Sequence, residues 1–206
     1  MSKHSGSIDS LVLQRIRRMK PGTIFTPRDL AAAGPRTAVA SALSRHLKAG
    51  AIKQPARGLY QAPMIHPLLG ELHASPAQIA TALAGKNRLK LQPSGAYAAN
   101  LLGLSDQVPL RIVYLTDGTP RQVRVGKQQI VLRRTTPKNM ATAGRISGLV
   151  IQALRYLGQN HVDNSVIKRL QKRLSAQERA QLLKDVPLAP AWIGELMRQI
   201  ANGTKR

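Results

Sequence analysis

Between Lys20 and Pro63 the chain reads KPGTIFTPRDLAAAGPRTAVASALSRHLKAGAIKQPARGLYQAP. Prolines at 21, 27, 35, 55 and 63 and glycines at 22, 34, 50 and 58 cut this stretch into short pieces. Proline fixes its own φ and donates no backbone hydrogen bond, while glycine readily takes conformations that end a helix or tighten a turn. The longest uninterrupted piece, from Arg36 to Ala49, has room for one helix of about four turns. These pieces read as a chain of short helices followed by a small hairpin.

The apolar spacing fills in that frame. Ile8, Leu11, Val12 and Ile16 share one helical face, with Gln14, Arg15, Arg17 and Arg18 elsewhere, which predicts a helix over 8–19. Ile24 and Phe25 form a very short extended piece. A second helix is expected over 26–34, with Thr26 as N-cap, Pro27 at its first position and Gly34 at its end. A third follows from Pro35 to Ala49, stopped by Gly50. "AIKQ" and "GLYQ" read as two strands separated by "PAR", and Pro63 ends the unit. Three helices with a tight second turn and a small hairpin describe a winged helix-turn-helix over residues 1–65.

The third helix separates into two faces. At about 100° per residue, Val39, Leu43 and Leu47 gather within about 80° and form a core stripe. Thr37, Ser41, Ser44, Arg45 and Lys48 lie opposite, short, polar and basic. Such a face suits a helix entering the major groove, where Arg and Lys reach guanine edges and Ser or Thr bond bases or phosphates. Arg36, in the first turn, lies nearer the core side by angle and reaches phosphate from the helix end. Lys53 and Arg57 fall on the wing, suited to backbone or minor-groove contact. The competing reading of these residues is an ordinary solvated face. His46 lies beside the stripe and reads as a packed structural histidine without an acidic partner nearby.

Residues 63–74 read as a connector. A second domain then begins at "SPAQIATALAG", with Ser75 as cap, Pro76 at the first helical position and Gly85 as stop. "RLKLQ" is a strand candidate, "QPSGAYAAN" a turn capped by Ser94 into a short helix of small residues, and "LRIVYLTDG" a strand. "RQVRVGKQQIVLRR" reads as a hairpin with Gly126 and Lys127 at the bend. Residues 66–136 thus form a small α/β domain. Residues 137–206 form its basic helical continuation, with helices around Ile146 to Leu157 and Val166 to Leu174, a third opened by the capping box Ser175 to Glu178, and a fourth begun by Pro190. Residues 1–6 and 202–206 read as frayed. The expected fold class is α+β: an N-terminal winged helix-turn-helix followed by a mixed α/β domain with a helical C-terminal subdomain.

Charge then decides the class of partner. The 32 Lys and Arg against 9 Asp and Glu give a net charge of +23, far beyond what solubility needs. Residues 1–65 carry +9, 66–136 carry +6 and 137–206 carry +8, so the excess is no basic tail. Nucleic acid is the expected partner. No segment combines Lys and Arg on one face with bulky apolar residues on the other, as a membrane-surface helix requires. The N-terminus lacks a signal-peptide pattern and no apolar run is long enough to span a bilayer, which points to a cytoplasmic protein without membrane contact.

Catalytic chemistry finds little support. There is no cysteine, and the histidines at 4, 46, 66, 73 and 161 have no metal-ligand spacing, so neither metal nor cofactor is expected. "GSIDS" resembles the Gly-Ser opening of nucleotidyltransferases, but Asp9 stands alone where two or three carboxylates are needed. Glu71, Asp106, Asp117 and Asp163 are scattered, and no nucleophile motif accompanies them, so no enzyme is expected. A second basic cluster, Lys168, Arg169, Lys172 and Arg173, offers a phosphate platform for structured RNA or a contact for a protein partner. Aromatics at 3% argue against stacking on single strands.

Two stretches carry a family resemblance: RIRRMKPGTIFTPRDLAAAGPRTAVASALSRHLKAGAIKQPARGLYQAP, and LQPSGAYAANLLGLSDQVPLRIVYLTDGTPRQVRVGKQQIVLRR. They resemble the AbiEi-type antitoxins of type IV toxin-antitoxin (abortive infection) systems, over about residues 8–157. The resemblance implies a winged helix that binds its own promoter as a repressor, its function falling on Arg36 to Lys48 and on the wing at Arg57. It also implies a second domain that neutralises a nucleotidyltransferase-like toxin.

Overall fold

The computed structural model describes residues 7–68, 70–85 and 90–203. The expected fraying of 1–6 and of 204–206 lies outside the described residues, whereas Asn202, expected to fray, is the last residue of a helix and Gly203 caps it. The fold is mixed α+β, as the residue pattern predicts. It comprises two compact units, one of Met1–Ala82 with Val123–Gly126 and one of Leu83–Gln122 with Lys127–Arg206.

In the first unit α1 spans Ile8–Arg17, its first turn capped by the Ser7 hydroxyl, which accepts from the Ser10 amide at 3.2 Å. Strand β1 is Ile24–Phe25. The piece expected as a second α-helix is a 3-10 helix, Pro27–Ala33. Its start is held by Asp29, whose Oδ2 accepts from the Thr26 amide and hydroxyl at 2.8 and 2.9 Å. Its end meets α1: a Cβ on Gly34 would stand 2.9 Å from Ile8 Cδ1. Helix α2 is Arg36–Lys48 and the hairpin is β2, Lys53–Ala56, with β3, Leu59–Gln61.

The hairpin differs from expectation at "PAR". Pro55 and Ala56 belong to the strand, and only Arg57 and Gly58 form the turn. The strand order β1-β3-β2 puts Pro55 on an edge, where a missing amide costs no ladder bond, and the β2–β3 register shifts between Lys53 and Ala56. Gly58 at φ 78° closes the turn. Val12, Ile16, Phe25, Leu30, Val39, Leu43 and Ile52 make one core, each 2% exposed or less. Full burial of such side chains contributes about 1.5–3 kcal/mol each. Phe25 and Tyr60 stack with ring centroids 5.8 Å apart.

The connector is more structured than expected. Strands β4 (Ile65–His66) and β5 (Gly70–Glu71) form a small hairpin, and α3 follows at Pro76–Ala84. Buried Gln61 ties it back: its Nε2 donates to the Leu72 carbonyl at 3.0 Å and its Oε1 accepts from the Ala74 amide at 3.3 Å. Residues 66–82 accordingly group with the first unit. Ser75 caps α3, with Gln78 returning a bond to the Ser75 amide.

The second unit contains β6 (Leu91–Ser94), α4 (Ala96–Leu101), β7 (Arg111–Thr116), β9 (Gln128–Arg134) and the first two residues of β8 (Arg121–Val125), whose remaining residues group with the first unit. Residues 88 and 89 of the expected strand "RLKLQ" lie outside the described residues. The sheet order is β6-β7-β9-β8, with β7 parallel to β9 through Ile112–Ile130 and Tyr114–Leu132. Ser94 is no cap. It ends β6 with its hydroxyl buried and bonded to Gln152 Oε1 at 3.1 Å, because Gly95 at φ 62° reverses the chain and takes the capping position.

Helices α5 (Pro137–Met140), α6 (Ile146–Leu157), α7 (Asn164–Arg173), α8 (Ala176–Asp185) and α9 (Ala191–Asn202) complete the unit. A core of Val150, Leu154, Leu170, Leu182, Ile193, Met197 and Ile200 joins α6 to α9, with Ala98 and Ala99 of α4 packed into it. The small and helical parts of the second domain thus share one core. Gly148 admits the closest approach: a Cβ there would collide with Gln92 Oε1 and the Thr142 carbonyl.

Candidate nucleic-acid interface

Helix α2 forms because Thr37 to Lys48 contains neither Pro nor Gly and its apolar residues repeat at helical spacing. Pro35 precedes the first turn, and the Ala49 amide closes the last by donating to the Arg45 carbonyl at 2.9 Å. Val39, Ala42, Leu43 and His46 are buried; Arg36, Thr37, Ser41, Ser44, Arg45 and Lys48 are all exposed. Thr37, Ser41, Ser44, Arg45 and Lys48 fall within an arc of about 100°. Arg57 is exposed at the hairpin tip, while Lys53 is half-buried at the start of β2.

Two readings of this helix change. His46 is packed, 7% exposed, but it does have an acidic partner: its Nε2 lies 3.6 Å from Asp9 Oδ2 and 3.4 Å from the Asp9 carbonyl oxygen. Asp9, which stands alone in sequence, also receives Arg45, whose Nε and Nη2 donate to its Oδ1 at 3.0 and 2.8 Å. The pair joins residues 36 positions apart, so no local pattern announces it. Arg45 nevertheless keeps 62% of its side chain exposed. Its Nη1 edge is unengaged by Asp9.

The basic residues of α7 form a separate face. Ile167 and Leu170 are buried in the helical core, and Lys168, Arg169, Lys172 and Arg173 are exposed over about 140° of the helix surface. The four acids between 137 and 203 are engaged with other groups. Asp163 caps α7, accepting from the Ser165 hydroxyl and amide and the Val166 amide at 2.6, 2.9 and 3.0 Å. These bonds, the Ser165 hydroxyl first, hold its carboxyl below the ordinary range. Glu178 completes the capping box with Ser175. Buried Asp185 accepts from Arg145 at 2.6 Å and from Gln181 at 2.9 Å, and Arg145 also donates to the Ala141 carbonyl. Glu195 pairs with Arg198 at 3.1 Å. The α7 cations therefore keep their charge facing solvent; Arg173 alone among them has a polar contact, to the Leu101 carbonyl at 3.5 Å.

Other chemistry-bearing groups serve the interior. Tyr97 and Tyr114 pack with centroids 5.6 Å apart, and burial, reinforced by the hydrogen bond to Tyr97, pushes the Tyr114 phenol far up, so it stays protonated at physiological pH. Among the described residues, no group of three or more His, Asp or Glu side chains is arranged to hold a metal ion. No helix among them is long and apolar enough to cross a membrane.

No curated protein matches the chain. A family model does match, over residues 11–182, a span that takes in α2, the hairpin, the four-stranded sheet and α7. The chain belongs to DUF6088, a family of unknown function.

Proposed function

We propose that the first unit is a winged helix-turn-helix that binds double-stranded DNA, with α2 in the major groove and the β2–β3 hairpin as wing. One observation carries this reading: the polar and basic residues of α2 are all exposed on one side while the other side is buried in the unit's core. Thr37, Ser41, Ser44 and Arg45 then read base edges, and Arg36, Lys48, Lys53 and Arg57 meet phosphates. The net charge of +23 supports a polyanionic partner and fast, salt-sensitive association.

The wider reading is a cytoplasmic, non-enzymatic antitoxin that represses its own promoter and neutralises a nucleotidyltransferase-like toxin. Its support is the likeness of residues 15–63 and 91–134 to the AbiEi-type antitoxins. A mobility shift on the DNA upstream of its own gene tests it: binding there is expected, weakened by Arg45→Ala and absent on a scrambled duplex. Equal affinity for any duplex contradicts it. Co-expression with a nucleotidyltransferase encoded next to it tests the antitoxin half, through rescue of growth.

A second reading, a structured-RNA-binding protein, rests on α7. Its four cations face solvent unpaired with acids, and A-form RNA is recognised largely through its backbone and shape. Tight binding to structured RNA with indifference to DNA would favour it over the first.

A further inference from the structure

We infer that Asp9, on the first turn of α1, is the positioning residue for Arg45, holding its guanidinium so that the free edge is presented to a base. The inference rests on the reading that α2 enters the major groove.

An acid beside a DNA-binding face opposes phosphate, so Asp9 calls for a reason. Among residues 1–65 there are only two acids; Asp29 holds the start of the 3-10 helix, and Asp9 reaches α2. Its carboxylate is fixed from three directions. The backbone belongs to the first turn of α1, Oδ2 and the carbonyl face buried His46, and Oδ1 takes both Nε and Nη2 of Arg45. Two donors from one planar group set the guanidinium's tilt as well as its position.

Arginine is long, and ordering its several rotors on binding opposes association. With Nε and one proton of Nη2 on Asp9, the Nη1 and Nη2 protons on the outer edge stay available, a parallel donor pair of the kind guanine O6 and N7 accept. The 62% exposure of the side chain leaves that edge accessible. A solvent-exposed ion pair contributes little to folding, so the effect of losing it belongs in recognition, not in stability.

This gives Asp9 a signature that neither a structural nor a purely electrostatic role shares. Removing an acid from a DNA face by itself strengthens binding to every duplex. Removing a positioning group weakens the duplex that needs Arg45 in place, while the freed arginine drifts to phosphates. The experiment uses the full chain and a duplex enriched from a random library by the wild-type protein, with a scrambled duplex as control. Asp9→Ala is expected to bind the scrambled duplex as tightly or more tightly, and the enriched duplex about ten-fold more weakly, the scale of one misplaced base contact. In an Arg45→Ala background, Asp9→Ala is expected to cause no further loss on the enriched duplex.

Thermal unfolding of Asp9→Ala accompanies these titrations, and Asp9→Leu, which keeps the bulk but offers no acceptor, serves if the alanine variant unfolds. An unchanged ratio between the two duplexes, or equal losses with and without Arg45, overturns the inference. If the wild-type protein enriches no sequence at all, the underlying reading of α2 fails instead.

Discussion

Both units are strongly basic, with net charges of +9 and +14, but they arrange their few acids differently. In the first, Asp9 is turned toward the basic face of α2, where it takes hold of Arg45. In the second, Asp163 and Glu178 cap helices, buried Asp185 pairs with Arg145 and Glu195 pairs with Arg198 at the surface, leaving the α7 cations to solvent. An acid beside an arginine restricts where its donors point, which suits discrimination among sequences. Cations without such a partner attract phosphate wherever it lies. An excess of cations can thus serve reading in one place and plain electrostatic attraction in another.

The largest expected effects come from the cores beneath the two faces. Leu43→Ala in α2 and Leu170→Ala in α7 each remove a fully buried side chain and are expected to cost about 2–5 kcal/mol by denaturant unfolding. Leu43→Ala should also abolish DNA discrimination, whereas Leu170→Ala should spare it under folding conditions. Discrimination lost equally in both would erase the distinction between the units.

Next comes Arg145→Ala. It leaves Asp185, 2% exposed, with Gln181 but without its cation, at a cost of about 2 kcal/mol, reduced from the fully buried case because Arg145 is itself partly solvated. Urea unfolding checks it, and an unchanged midpoint would mean that the pair contributes nothing.

Replacing Lys168, Arg169, Lys172 and Arg173 together by Gln should leave the fold and the ratio between selected and scrambled duplexes unaltered. Binding to structured RNA should weaken, with the slope of log K against log salt shallower by up to about 3 to 4. Fluorescence titrations at several salt concentrations measure both. A changed duplex ratio would show that α7 takes part in reading.

The smallest effect is on pH dependence. The Asp163 carboxyl is held below its ordinary range in the folded state. Its contribution to stability is therefore present above the unfolded carboxyl value and lost as pH falls through the folded one. Asp163→Ala should shrink the acid-side fall in melting temperature. An identical acid limb in the variant would remove Asp163 from the account.

How much of this was legible in the residues follows from how local each feature is. Pro and Gly spacing and apolar periodicity locate α1, α2, the hairpin strands and α6 to α9 within a few residues, and caps such as Ser75 and Ser175 are visible because their partners lie three positions away. The exposed face of α2 follows from the same periodicity. The 3-10 form of Pro27–Ala33 does not, because its caps and apolar spacing fit an α-helix equally well. Nor does the parallel pairing of β7 with β9, which the local β8–β9 hairpin conceals. The Asp9–Arg45 and Arg145–Asp185 pairs join residues 36 and 40 apart, and only the folded chain brings them together.

The most direct test of the central claim is a competition titration of the full-length protein between the enriched duplex and its scrambled counterpart, repeated with Ser41, Ser44 and Arg45 changed together to Ala. At least a hundred-fold preference is expected for the wild-type protein, reduced to near parity in the triple variant by weaker binding to the enriched duplex. A preference that survives intact in the triple variant would contradict the claim.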